Sequence, residues 1–157
     1  MIRKPFAAFG YVLYANYYEA GYTVDTATYA DSKTILLFTE GNIVVKDKET
    51  GEVVDQCVPG WIRRGTYTDG MFTCTATQDS VSWCYDPKVN QNVVPPIELV
   101  ALKTGEAIAL PQDTKLFLCS GTVTINGQER TSPKQISVKS ANVTATATTD
   151  VYGFIFK

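Results

Sequence analysis

The chain of 157 residues contains no histidine. That absence removes the commonest general base, the commonest metal ligand and the side chain that titrates near neutral pH. There is no Cys-x-x-Cys pair either, and Cys57, Cys74, Cys84 and Cys119 fall at spacings that fit no zinc pattern. Free structural thiols are the first reading of these cysteines, ahead of disulfides and of a metal site, and no cofactor is expected. Basic charge is not in excess. The formal charge is -2, the sequence pI is about 5.1, and Arg63-Arg64 is the only arginine doublet. Proteins that grip phosphate backbones cluster Lys and Arg, so no specific nucleic-acid partner is expected. No apolar run is long enough to span a bilayer, and no membrane partner is expected. Nor is there a convincing amphipathic helix. The best candidate, FAAFGYVLYANYY from Phe6 to Tyr18, is interrupted by Gly10 and crowded with tyrosines. Arg3-Lys4 before FAAFGYVL mimics a secretion signal, but Pro5, Gly10 and the tyrosines break the apolar run. A cytoplasmic, reducing origin is therefore expected, and the Asn142-Val143-Thr144 sequon then carries no meaning.

What is present is an ordinary globular composition, 45% hydrophobic and 19% charged. The length suits one domain or two small joined ones. The chain also repeats itself. TCTATQD (Thr73 to Asp79) returns as TATATTD (Thr144 to Asp150). Upstream, TILLFTEGNIVVKDKETGEVV resembles KLFLCSGTVTINGQERT, with Gly41 falling on Gly121 and Val45 on Ile125 at an offset of 80. The offset becomes 76 at Gly51 and Gly127, and 71 at Thr75 and Thr146. The changes fit insertions in turns, where they are tolerated. Asn126-Gly127 is the strongest short hairpin signal, since both residues accept positive φ.

Within the phrase, Phe72, Cys74 and Ala76 alternate with Thr73, Thr75 and Thr77, as Val143, Ala145 and Ala147 do with Thr144, Thr146 and Thr148. Period two with β-branched residues on the polar face predicts a half-buried strand. Asp79 and Asp150 then read as turn residues bonding their own backbone. The predicted fold class is all-β: two small antiparallel β units from an internal repeat, over residues 34–92 and 93–157. Residues 1–33 precede them as an aromatic N-terminal arm or an extra strand layer. Pro95-Pro96 marks the boundary between units, because proline does not sit inside a central strand.

LLFTEGNIVV, VPGWIRRG and FTCTATQDSVSWCY follow one another as a strand ending in Glu-Gly, a second strand, Pro-Gly and a final hairpin. This order resembles the cupins, over most of Thr34 to Tyr85 and more weakly over Leu99 to Phe156. The resemblance implies two jelly-roll units and a scaffold that oligomerises through strands. Cupin enzymes usually hold a metal with histidines and a glutamate on these strands, and metal-free sugar epimerases of the family use a histidine base. Neither histidine exists here, so the resemblance implies no chemistry.

Candidate sites are few. Glu40 precedes the glycine turn, where the second copy has Ser120, and reads as a solvated strand end before it reads as a catalytic carboxylate. Asp79 and Asp150 would form a paired-carboxylate site only if the units faced each other. Threonine faces can bind ice or sugar hydroxyls, but two copies are too few for an ice-binding array. Trp61, beside Arg63 and Arg64, reads as a core residue, an interface hot spot or a sugar-stacking ring. Phe6, Phe9, Tyr11, Tyr14, Tyr17, Tyr18, Tyr22 and Tyr29 crowd the N-terminal segment, and tyrosine suits interfaces.

The expected function is that of a non-catalytic structural or assembly protein, not an enzyme: a bacteriophage virion component, decorating a capsid or associated with a tail. It would bind other protein subunits, as a homo-oligomer or with virion proteins. Its interface candidates are Phe6, Phe9, Tyr11, Tyr14, Tyr17, Tyr18, Trp61, Arg63 and Arg64. A carbohydrate-binding β module and a metal-free cupin-like sugar-modifying enzyme are the alternatives. The expected location is the virion or the cytoplasm of the producing cell.

Overall fold

The computed structural model describes residues 1–25, 34–64, 70–93, 96–139 and 141–157, with the side chain of residue 64 outside the description. Tyr29 and Pro95 therefore lie outside the described residues. The chain divides into two compact units, Met1–Ala7 with Tyr11–Val94, and Ala8–Gly10 with Pro95–Lys157.

The first unit contains β1 (Ile2–Ala8), β2 (Tyr11–Tyr18), β3 (Thr23–Asp25), β4 (Ile35–Glu40), β5 (Ile43–Asp47), β6 (Val53–Cys57), β7 (Ile62–Arg64), β8 (Phe72–Ala76) and β9 (Ser80–Tyr85). They form a five-stranded sheet, β1-β2-β9-β4-β7, and a four-stranded sheet, β3-β8-β5-β6. The second contains β10 (Ile97–Leu102), β11 (Ala107–Leu110), β12 (Lys115–Ser120), β13 (Thr122–Ile125), β14 (Gln128–Thr131), β15 (Lys134–Ser137), β16 (Val143–Ala147) and β17 (Val151–Phe156). Its sheets are β10-β17-β12-β15 and β11-β16-β13-β14. Apart from β1, the two orders are the same, and each unit is an eight-stranded jelly roll. The all-β, cupin-like reading of the fold holds.

The repeat also starts earlier than its sequence signal. Tyr18 pairs with Ser80 as Leu102 pairs with Val151. Gly21 N–H donates to Ala76 C=O as Gly105 N–H donates to Ala147 C=O, both at 2.7 Å. Residues 11–25 thus supply the first two jelly-roll strands of unit 1, and among the described strands only β1 lacks a counterpart. The stretch weighed as a helix, Phe6 to Tyr18, instead turns sharply at Phe9-Gly10, both at positive φ, between β1 and β2.

Shared backbone devices explain the shared sequence. Each copy of the strand before the glycine slips register, between Phe38 and Glu40 and between Leu118 and Ser120. The chain then turns at Gly41 and Gly121, at φ +86° and +95°. A Cβ at Gly41 would lie 2.2 Å from Ser80 Oγ, and one at Gly121 would lie 2.2 Å from Asp150 C=O. Only glycine fits both the conformation and the space. Asn126 and Gly127 both adopt positive φ, and Ile125 pairs with Gln128 across the predicted two-residue hairpin.

The two interiors differ. Unit 2 is filled by aliphatic side chains from both sheets, among them Leu110, Leu116, Leu118, Val123, Ile125 and Ile136. Unit 1 has a smaller buried cluster of Phe38, Ile43, Val45, Cys57 and Ala76, flanked by partly buried aromatics. The middle strands of its five-stranded sheet, β2, β9 and β4, are buried on both faces. Leu13, Ala15, Leu37 and Trp83 lie on one, and Asn16, Phe38, Ser82 and Cys84 on the other.

Candidate functional site

Inside unit 1 lies a cavity of about 120 Å³. Its wall comes from both sheets. Tyr18 (β2), Leu36 and Phe38 (β4) face Ile43 and Val45 (β5), Cys57 (β6), Cys74 and Ala76 (β8), with Tyr22 and Trp61 from connections. Period two sends Cys74 and Ala76 inward and Thr73 and Thr75 outward, as the alternation predicts. Trp61 is half-buried and stands edge-on to Phe38, with centroids 5.3 Å apart and ring planes at 79°. Its backbone is fixed too, since its C=O accepts from Phe38 N–H at 2.9 Å. Tyr18 tilts against Tyr22 at 5.7 Å, and its hydroxyl lies 3.1 Å from Ser82 Oγ. Ser82 in turn accepts from Asn16 Nδ2, whose side-chain oxygen accepts from Arg3 Nε at 2.7 Å. This relay lets buried Asn16 and Ser82 keep their hydrogen bonds.

The wall is close to neutral. Burial pushes the Cys57 thiol up to about 12, with the Asp55 charge adding to it and Arg63 opposing. Burial raises Cys74 as well, again against Arg63. None of the four cysteines forms a disulfide. Among the described residues of the lining, Asp25 has the one charged side chain, and it is engaged at the surface by Lys48 Nζ at 2.6 Å and Thr73 Oγ1 at 3.3 Å.

Outside the cavity runs an open groove of about 820 Å³ that includes Lys4, Tyr17, Glu19, Glu40 and Asp79. Met1, Tyr18 and Tyr22 line both spaces. Glu40 is exposed. Asp79 does not serve its own turn: its Oδ1 accepts from Ala20 N–H at 2.9 Å, tying down the β2–β3 connection. Asp150 does the same for β10–β11, accepting from Thr104 N–H at 2.9 Å and Thr104 Oγ1 at 3.1 Å. The two aspartates thus do equivalent work in separate units, each on its own loop. Among the described residues, no group of three or more Cys, Asp or Glu is placed to hold a metal ion.

The remaining sequence candidates are drawn into the units themselves. Phe6 packs on Trp83 at 4.9 Å, Tyr11 meets Tyr85 edge-on at 5.9 Å, Arg3 lies over Tyr14 and Lys4 over Tyr17. Phe9 tilts against Phe156 at 5.7 Å, within the second unit. Arg63 is half-buried and pairs with Leu36, the register position that Ile136 takes opposite Leu116 in unit 2. Arg64 pairs with Ile35 through its backbone. These aromatics are half-buried, all but Phe9 in strands, rather than displayed on a free arm.

Sequence reasoning passed over one surface. β6 and β7 are edge strands of the two sheets of unit 1, joined through Val58–Trp61. They expose Val53 (51%), Val54 (50%), Val58 (42%) and Ile62 (36%). The counterpart edge, β14, reads Gln128-Glu129-Arg130-Thr131. The signal was present in VVDQCV, a valine-rich run with Asp55 as its one charge and no lysine, but only topology identifies it as an edge.

No protein-family model matches the chain, and no curated protein matches it. Solved structures do match in fold. HutD from Pseudomonas fluorescens SBW25 aligns over 99% of this chain and 92% of its own, at 14% identity and a TM-score of 0.55. YhhW from Escherichia coli aligns over 92% of this chain and 79% of its own, at 17% identity and a TM-score of 0.52. The bacterial pirin YhhW in complex with nickel(II), also from Escherichia coli, aligns at 16% identity, over 92% of this chain and 80% of its own, with a TM-score of 0.52. These are cupin-fold proteins, and the likeness establishes a double cupin-type jelly roll.

Proposed function

We propose that the protein is a non-catalytic assembly protein that joins other protein subunits, in the first instance copies of itself, through the β6–β7 edge of unit 1. The observation that carries this reading is the contrast between duplicated edges. A bare strand edge is a template for another chain, and proteins that need no partner there blunt it with charge or proline. β14 carries Glu129 and Arg130, and β1 carries Arg3, Lys4 and Pro5. β6 carries Asp55 alone, and with the connection after it presents Val53, Val54 and Val58, each between two-fifths and just over half exposed. One of its N–H groups, that of Gln56, is taken up by Asp55 Oδ1 at 2.8 Å. The contact therefore rests on the valines more than on strand addition.

We place this assembly in a bacteriophage virion, on the compositional likeness of a compact, acidic, Thr- and Val-rich, histidine-free β-protein to such components. Trp61 supports this reading over a carbohydrate-binding one, since its ring stands in the cavity wall rather than on display.

Light scattering after size exclusion tests the proposal. The full chain is expected to run as a discrete oligomer, and Val54→Lys with Val58→Lys to run as a monomer with an unchanged melting midpoint. Glu129→Lys on β14 is expected to leave the oligomer intact. A monomeric native chain at every concentration, or an oligomer indifferent to the double lysine variant, overturns it.

A further inference from the structure

We propose that unit 1 binds a small neutral molecule built on a single six-membered ring, held inside its barrel. The first ground is size and lining. The cavity measures about 120 Å³. An apolar cavity of roughly 150 Å³ stays dry and takes up benzene, so this space matches one ring. Tyr18, Tyr22, Phe38 and Trp61 offer ring faces and edges on several sides, the wall that small-molecule sites favour.

The second ground is the internal control. Backbone pairing aligns Tyr18 with Leu102, Phe38 with Leu118, Cys74 with Ala145 and Ala76 with Ala147. At those positions unit 2 packs Leu118, Ala145 and Ala147 into a filled aliphatic core, with Leu102 against it. The same topology is therefore able to close its interior, and unit 1 does not.

The third ground is charge. Asp25 turns to Lys48 and Thr73 at the surface, and the Cys57 and Cys74 thiols are held protonated. Arg63 stands at an inward register position but does not line the cavity. Among the side chains of the wall a neutral ring therefore finds no unpaired charge, whereas a charged one would lose its hydration without a side-chain partner. The outer groove supplies the entrance, because Met1, Tyr18 and Tyr22 belong to both spaces.

This binding is independent of the β6–β7 contact, and its test reads the ligand rather than the mass of the assembly. Toluene and p-cresol are titrated into the full chain, followed by the melting midpoint and by tryptophan fluorescence. Both tryptophans, Trp61 and Trp83, lie in unit 1. The expected result is a midpoint raised by a few degrees near saturation, together with a saturable fluorescence change. Cys74→Leu, which fills the wall inward, is expected to lose both responses. Naphthalene is expected to fail on the native chain and to bind Trp61→Ala. Absence of any response to toluene and p-cresol overturns the proposal. So does a response that persists in folded Cys74→Leu, or naphthalene binding the native chain as well as toluene does. Benzoate binding more tightly than toluene overturns the neutral class. If Cys74→Leu fails to fold, the size series on the native chain decides by itself.

Discussion

At the scale of single residues, two pairs carry the duplicated architecture. Gly41 and Gly121 sit where the chain leaves a bulged strand, and both combine positive φ with backbone in the space a Cβ would need. Gly51 shares the positive φ, at +73°, but has nothing within 4 Å of that space. Gly41→Ala is therefore expected to cost about 2–4 kcal/mol, from strain plus overpacking. Gly51→Ala is expected to cost only about 1–2 kcal/mol, the left-handed penalty alone. Urea unfolding of both variants beside the native chain separates the two terms. Asp79 and Asp150 form the second pair. Backbone and side-chain hydrogen bonds from Thr104, with Lys103 nearby, hold the Asp150 carboxyl below its ordinary 3.8. A carboxyl lowered on folding contributes stability above its unfolded value and loses it as pH falls through the folded one. Asp150→Asn is thus expected to lower the urea midpoint at neutral pH and to flatten its fall in acid below about pH 4, where the two chains converge. The Asp47 carboxyl, held low by Thr50 and Glu49 N–H groups, leaves part of the acid sensitivity in place.

At the scale of elements, the N-terminal strands differ most from their sequence reading. Tyrosines at 11, 14, 17 and 18 follow no clean alternation, because the middle strands of the sheet, β2 among them, are buried on both faces. Strands of that kind read as continuous apolar or aromatic runs, and period two fades from them. β2 hydrogen-bonds along Leu13 to Tyr18 with β9, and β3 pairs with β8, so both sheets of unit 1 depend on residues before 26. Deleting residues 1–22 is therefore expected to unfold unit 1 rather than release a docking arm. Deleting residues 1–7 removes the added edge strand with its Phe6–Trp83, Arg3–Tyr14 and Lys4–Tyr17 contacts and the Arg3–Asn16 hydrogen bond, and is expected to lower the melting midpoint while keeping the β-type circular dichroism spectrum. Equal effects of the two deletions would contradict this division. The same scale separates β6 from β14. Both are short strands after a turn, and their difference in charge acquires meaning only because each ends its sheet.

At the scale of the whole molecule, duplication has produced two jelly rolls of one topology with different interiors, one filled by aliphatic side chains and one left with an aromatic-walled space. The fold class was written in the chain itself. Alternating Phe72, Cys74 and Ala76, the paired glycines 41 and 121, and Asn126-Gly127 are local signals, set by strand periodicity and backbone conformation, and each copy repeats them. The true start of the repeat was not readable, since Tyr18 and Leu102 are equivalent only through the hydrogen bonds they share with Ser80 and Val151. Neither was the cavity. Its size is what remains after side chains from strands far apart in sequence, Tyr18, Phe38, Trp61 and Cys74, have met across two sheets. Volume left over by packing is a property of their sum in space, and only the tertiary structure decides it.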